Sequence, residues 1–359
     1  MSRRGFLEQI RQGGVSLSPE LAAAFAAVPR EAFVPDGFQR RDGTWAMPSD
    51  ADFLELIYSD DVLVTKVDGR VPVSSSSQPS LMAMMIEALD VRPGHRVLEI
   101  GAGTGYNAAL LASLGAEVVS VDVQPDVALK ARAALKAADI AGVRVEHGDG
   151  YAGSTGGRFD RVIVTVGVSG LSPRWRAEIV VAPVEHAGTH PVLAVQDQVG
   201  AVVTPAGFMT AAGPLTAAHP FPAPAAPGTL TEFAGHEGPA FDPPLEPLAY
   251  RDLWYAAGVW NRRATLTAVP GREQNALIIL DRPRTGGAVV LPDGSVLAGG
   301  PEAAAWAAEA AALRDRWAGA GRPPMRAWRV GLAPAGDPAA PILIPSTWKL
   351  TRGSSDEPY

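Results

Sequence analysis

The chain has 359 residues, of which 47% are hydrophobic and 19% charged; this is a globular composition with room for two domains, and it excludes a disordered or coiled-coil chain. Lys and Arg total 31 against 38 Asp and Glu, a net charge of −7, so a globally basic footprint for nucleic acid or an anionic membrane is absent. There are no cysteines, which rules out disulfides, thiolate metal sites and a cysteine nucleophile.

The first residues, MSRRGFLEQIRQGG, place Glu8, Gln9 and Arg11 where a signal peptide needs an apolar run. No stretch approaches the ~18 apolar residues of a membrane span, and a cytoplasmic protein is expected. Residues 19–28 (PELAAAFAAV) predict a helix with Ser18 as N-cap and Pro19 at its first position. The stretch after Pro29, punctuated by Pro35, Pro48, Asp50 and Asp52, reads as irregular. VLVTKV at 62–67 alternates like a strand, and Asp68-Gly69 reads as a tight turn. SSSSQP at 74–79 then leads into an apolar helix, LMAMMIEALDV.

The clearest rhythm follows. RVLEI (Arg96–Ile100) has the nearly continuous apolar character of a buried parallel strand. A glycine-rich turn and the helix YNAALLASLG come next, with Gly115 where a C′ glycine belongs. AEVVSVD, VRVEHGDG and FDRVIVTVGV read as further strands, with QPDVALKARAALKAADI as a helix between the first two. Strands alternating with helices predict right-handed βαβ units, hence an α/β, doubly wound sheet over residues 1–205. Residues 206–247 read as a linker or wrapping arm, because Phe208 to Pro247 holds nine prolines. Residues 248–359 read as a smaller C-terminal α+β domain: a short helix in YRDLWYAAGVW, strands in ATLTAV and NALIIL, a hairpin turning at Asp293-Gly294, an alanine-rich helix, and two closing strands, MRAWRVGL and ILIPSTWKL.

The chemistry concentrates in VLEIGAGTGY (Val97–Tyr106), where Gly101, Gly103 and Gly105 follow a strand and open a helix. Glycines there let backbone N–H groups approach a ligand, and the helix N-terminus favours negative charge. A dinucleotide fingerprint needs glycine where Tyr106 stands, and a P-loop needs a lysine that is missing. E-x-G-x-G-x-G, led by Glu99, instead resembles the pattern of S-adenosylmethionine (SAM) methyltransferases. Asp122 closes the second strand, 21 residues after Gly101, and suits a carboxylate on ribose hydroxyls. Asp149, in GDG, ends the third and can accept an adenine amino group. Taken alone, each aspartate is equally an ordinary helix or turn cap.

Between about Val28 and Val203 the sequence resembles protein-L-isoaspartate O-methyltransferases. The residues carrying the likeness are VPREAFVP (28–35), YSDD (58–61), the SQP of SSSSQP, VLEIGAGTGYNAALLA (97–112), GDG (148–150) and FDRVIVTVG (159–167). The resemblance implies a Rossmann-like SAM-dependent methyltransferase domain. The expected cofactor contacts are Glu99, Gly101, Ala102, Gly103, Thr104, Gly105, Tyr106, Asp122, Val123, Asp149 and Gly150. Ser77 matches the family's active-site serine, and Ser76 and Ser75 beside it offer further hydroxyls to aim a carboxylate. The implied substrate is a peptide or protein bearing Asp or isoAsp. Two departures stand out: VVAPVEHAGTHPVLAV replaces a late Pro-Gly-Gly turn, and the chain runs well beyond the sheet. With the four-serine run, the extension resembles the subgroup that methylates an Asp side chain in a modified ribosomal precursor peptide, leading to an aspartimide. General isoaspartyl repair and a catalytically silent SAM-binding scaffold are the alternatives.

His186 and His190 have the i, i+4 spacing of a zinc helix, but Gly188 and an apolar, strand-like setting oppose a helix, and no third ligand is apparent, so no metal is expected. His95 and His147 flank strand ends and read as surface residues. Six of the eight tryptophans lie beyond residue 248 and read mainly as core anchors, with Trp254, Tyr255 and Arg251 the one candidate binding cluster there.

Overall fold

Three sheets organise the chain, which a computed structural model describes over residues 3–216, 221, 223, 233–269 and 275–351. The helices are α1 (Arg3–Gln12), α2 (Pro19–Ala27), α3 (Phe53–Ile57), α4 (Pro79–Leu89), α5 (Tyr106–Ser113), α6 (Pro125–Ala137), α7 (Pro247–Trp260) and α8 (Ala303–Gly319). The strands are β1 (Phe38–Gln39), β2 (Trp45–Ala46), β3 (Leu63–Asp68), β4 (Val71–Ser76), β5 (Arg96–Ile100), β6 (Glu117–Asp122), β7 (Val143–His147), β8 (Arg161–Val164), β9 (Ile179–Pro183), β10 (Val192–Gln196), β11 (Val199–Thr204), β12 (Ala234–Glu237), β13 (Ala264–Thr267), β14 (Ala276–Leu280), β15 (Gly287–Val290), β16 (Val296–Gly299), β17 (Trp328–Ala335) and β18 (Ile342–Leu350).

The main sheet runs β18-β17-β11-β10-β9-β8-β5-β6-β7. Its β9-β8-β5-β6-β7 half is parallel, as expected from the α5 and α6 crossovers. Between β8 and β9, residues 165–178 cross without a helix. Both faces are covered, which is why these strands read as continuous apolar runs. On β8, Val162 and Val164 enter one core, while Ile163 enters the other with the N-terminal helices. Ser18 caps α2 as read, its side chain accepting from the Leu21 N–H at 3.2 Å.

The stretch read as irregular after Pro35 contains β1, β2 and α3. These two strands are only two residues long each, too short for a period-2 signal. With β3 and β4 they form a sheet of order β2-β1-β3-β4. The serine run is thus a strand rather than a loop as far as Ser76.

The C-terminal part holds the antiparallel sheet β12-β16-β15-β14-β13, packed with α8. Its boundary differs from the division at 248: β17 pairs with β11 (Gly200↔Val330), and β18 completes the edge of the main sheet. Leu171 and Leu343 exchange backbone hydrogen bonds of 2.9 and 2.8 Å, and Tyr151 O–H donates to the Pro341 carbonyl at 3.0 Å. One apolar core runs from Leu98 and Val162 through Trp254 to Ile279 and Trp317. Of the C-terminal tryptophans, 254, 306, 317 and 328 are buried. The proline-rich segment is also less free than a linker. Residues 206–216 pack on the main sheet and 234–237 form β12; 217–220, 222 and 224–232 lie outside the described residues.

Candidate active site

The turn after β5 brings the glycine loop against the serine strand. Gly103 has φ +50°, and a Cβ there would stand 2.9 Å from the Ser75 carbonyl oxygen, so only glycine allows this approach. Gly101, at φ +99°, is equally tight against Thr165, whose hydroxyl donates to the Gly101 carbonyl at 2.6 Å.

A cavity of about 1140 Å³ opens between these elements. Ser74–Ser77 line it together with Gly101, Ala102, Gly103, Thr104 and Tyr106. Asp122 and Val123 line it from the end of β6, and Asp149 and Gly150 from the loop after β7. Phe208, Met209, Thr210 and Leu215 make the roof, tied down where the Gly167 N–H donates to the Met209 carbonyl and the Ser169 N–H to that of Leu215, each at 2.8 Å.

Two expected contacts do not face this space. Glu99 is fully buried beneath the loop, accepting from Asn107 Nδ2 at 2.6 Å and from the Ser120 hydroxyl at 2.5 Å. Alternation along β5 turns its side chain away from the cavity, and burial pushes its carboxyl up to about 7. Gly105 faces α6, where a Cβ would meet Ala131 and Leu135. Neither is among the residues lining the cavity.

The remaining polar groups offer unfilled valences. Asp122 accepts from the Gly103 N–H at 3.1 Å and the Gln124 N–H at 2.9 Å, and burial raises its carboxyl above the ordinary range. The Ala102 N–H is a third backbone donor, and the carboxylate keeps lone-pair capacity for a ligand hydroxyl. Asp149 spends Oδ1 on the Tyr151 N–H at 2.9 Å. The Ser76 hydroxyl is buried with no hydrogen-bond partner among the described residues, and Ser76 is one of the residues lining the cavity. These acceptors, the close glycine loop and the orphan hydroxyl fit a ribonucleoside with a second, carboxylate-bearing ligand beside it.

Sequence reading missed the residues that hold the serine strand in place. Arg30 is fully buried and donates to the carbonyls of Ile57 (2.7 Å), Ser59 (3.0 Å), Asp61 (2.9 Å) and Ser77 (3.0 Å). Burial lowers it to about 10. Asp60 receives the Ser80 N–H at 2.8 Å and Gln78 Nε2 at 3.0 Å, fixing the start of α4. Their signal lay in VPREAFVP and YSDD, motifs without an assigned task. Gln124, at the start of α6, holds the middle of β4, donating to the Val73 carbonyl at 2.8 Å.

His186 is a core residue. Its Nε2 lies 2.8 Å from the Tyr255 carbonyl, its ring stacks on Tyr255 at 4.1 Å, and burial lowers it to about 3. Among the described residues no group of three or more His, Cys, Asp or Glu is placed to hold a metal, and no helix is long and apolar enough to cross a membrane. Trp254 and Tyr255 are buried, yet Trp254 and Arg251 line a second cavity.

A doubly wound sheet with a glycine loop and carboxylates at its strand ends defines a Rossmann-like, SAM-dependent methyltransferase. The profile of the protein-L-isoaspartate(D-aspartate) O-methyltransferase (PCMT) family matches residues 1–198, and the chain belongs to that family. It is a carboxyl methyltransferase that uses S-adenosylmethionine. The protein-L-isoaspartate O-methyltransferase of Gloeobacter violaceus is 40% identical over 162 residues, 44% of this chain and 67% of its own length. That of Rhodopseudomonas palustris is 38% identical over 171 residues, 46% of this chain and 68% of its own. A solved structure named protein-L-isoaspartate O-methyltransferase aligns with TM-score 0.53 and 25% identity, covering 96% of this chain and 100% of that one. That likeness therefore takes in the C-terminal half as well.

Proposed function

We propose that the chain methylates an aspartyl side chain in a modified, ribosomally made precursor peptide, and that the ester then closes to an aspartimide. The observation that carries this reading is the four-serine run, which lines the same cavity as the glycine loop and packs against it. Asp122 is read as the acceptor for ribose hydroxyls and Asp149 as the acceptor for the adenine amino group. Gly101–Thr104, Tyr106, Val123 and Gly150 are read as the remaining cofactor contacts. The methyl donor brings a methyl group on a positively charged sulfonium.

Ser75, Ser76 and Ser77 are read as donors that aim the substrate carboxylate without neutralising it. No base is needed to make this nucleophile, because a carboxylate with pKa about 3.9 is already ionised at neutral pH. One of its oxygens attacks the methyl carbon in line; a C–O bond forms as the S–C bond breaks, and both charges vanish. Loss of charge favours a dry setting, which the Phe208, Met209 and Leu215 roof supplies. The backbone nitrogen of the next residue, giving up its proton, then attacks the ester carbonyl, and methanol leaves.

A peptide seat larger than one residue supports a constrained substrate, since Phe208 and Met209 line a second cavity as well as the first. General repair of isoaspartyl proteins is the second reading. It is favoured by the aligned methyltransferase structure, whose whole length is matched together with the C-terminal half of this chain. Mass spectrometry of two reactions separates them, one on an isoAsp hexapeptide and one on the modified precursor encoded beside this gene. A gain of one methyl followed by a net loss of one water on the precursor alone supports tailoring. Efficient methylation of the hexapeptide supports repair.

A further inference from the structure

The second cavity, about 890 Å³, lies where the C-terminal region meets the methyltransferase sheet. It is lined by Phe208, Met209 and His190, by Arg251 and Trp254 of α7, and by Met325. The two cavities thus share the strip Phe208–Met209.

That second space is apolar and aromatic with one cation in it. The Arg251 guanidinium sits 4.8 Å over the Trp254 ring and is half-buried. Among the described residues it has no carboxylate partner and no hydrogen bond. This contrasts with Arg30, Arg161 and Arg314, the buried arginines among the described residues. Arg30 places its four Nη donors on carbonyls, and Arg161 and Arg314 have both carbonyls and carboxylates. Burial without a partner also depresses the Arg251 pKa. Trp254 is in turn fixed, its Nε1–H donating to the Ala187 carbonyl at 2.9 Å, so the platform beneath the guanidinium is rigid.

A guanidinium stacked on an indole keeps its in-plane N–H donors available, and the ligand that matches two parallel donors is a carboxylate. We infer that this cavity is a subsite for the substrate peptide, in which Arg251 receives the side-chain carboxylate of an acidic residue flanking the methylated one. The inference rests on the peptide methyltransferase reading. It adds that substrate choice includes a negative charge at a fixed offset from the reacting residue.

The test is a binding experiment on the full chain loaded with S-adenosylhomocysteine. The probes are amidated, acetylated decapeptides with a central isoAsp, in which one glutamate is moved through each flanking position against a glutamine control. At one or two adjacent positions glutamate should bind about tenfold more tightly than glutamine, the size of one charge-assisted hydrogen-bonded pair. Arg251→Gln should remove that preference, Arg251→Lys should keep part of it, and both should bind S-adenosylhomocysteine like the parent, showing an intact fold. Equal affinity for glutamate and glutamine everywhere overturns the inference, as does a preference that survives Arg251→Gln. An amide-to-acid change at the C-terminus that reproduces the gain, with side-chain glutamates inert, overturns it too, because the pocket would then read chain ends. Methyl transfer is scored separately. Binding preference with no methylation of these peptides or of the modified precursor leaves the subsite standing and removes the functional reading instead.

Discussion

Arg30 donates to the Ser77 carbonyl at 3.0 Å while the same guanidinium holds Ile57, Ser59 and Asp61. The end of the serine strand is therefore fixed through its backbone, leaving the side chains free for a ligand. Replacing Arg30 by lysine cannot reproduce this fork, and carbonyls inside the protein lose their donors. Arg30→Lys should destabilise the fold by roughly 2–4 kcal/mol in denaturant titration and lower turnover in the surviving folded fraction. Unchanged stability would show that water fills the site and that the clamp is dispensable.

Ser76 separates a structural from a functional role. Its hydroxyl is buried without a partner, so Ser76→Ala removes nothing that stabilises the empty protein. Stability should stay within about 0.5 kcal/mol of the parent or rise, while kcat falls about tenfold or more. Ser77→Ala should likewise cut turnover with cofactor affinity nearly intact. Parallel loss of stability and activity in Ser76→Ala would assign the hydroxyl to folding.

Asp122 and Glu99 should part company in calorimetry. Asp122→Ala should weaken S-adenosylhomocysteine binding by about a hundredfold, because two ribose hydrogen bonds to a charged acceptor disappear. Glu99→Gln, off the cavity and isosteric, should change affinity only a few-fold. A large loss for Glu99→Gln would place that carboxylate at the ligand after all.

Glu99 also sets a pH dependence. Burial raises its carboxyl from the ordinary 4.5 to about 7 in the folded protein, which therefore binds the proton more tightly than the unfolded chain. Its stabilising contribution is complete below about pH 4.5 and is lost as pH rises through about 7. Unfolding free energies measured from pH 5 to 8.5 should decline more steeply for the parent than for Glu99→Gln. Identical slopes would show that the group titrates alike in both states.

Truncation tests how far the two regions are one body. A chain ending at residue 327 loses β17 and β18 and bares the edge of β11, whose Val202 and Thr204 are buried. It should aggregate or unfold without a cooperative transition, and so should a 1–205 fragment, whose core continues into Trp254 and Ile279. A monomeric 1–205 fragment that binds S-adenosylhomocysteine would establish an autonomous domain.

How much of this was legible beforehand depends on the range of the interaction. The glycine loop and the acids ending β6 and β7 are local patterns, and they arrive together in one cavity because parallel strands bring their ends to one side. The direction of Glu99 was also local, since it alternates with Leu98 and Ile100 on β5, but its motif position suggested a ligand and masked that geometry. The pairing of β17 with β11 was not legible, because an alternating strand fits an edge in either sheet equally well. Nor was the roof at Phe208–Leu215, whose Gly- and Pro-containing sequence carries no periodicity and is held by backbone bonds to Gly167 and Ser169. Arg30 was unassigned for a related reason: its four partners are carbonyls, which any residue provides.

The position of β17 and β18 in the main sheet has a consequence for synthesis. Translation delivers β11 long before its neighbour, with more than a hundred residues between Thr204 and Trp328. Throughout that interval a nascent chain carries an open sheet edge and half of its largest core. Sheet closure is thus a late event with high contact order, and the window before it is when the open β11 edge is most exposed to misassembly.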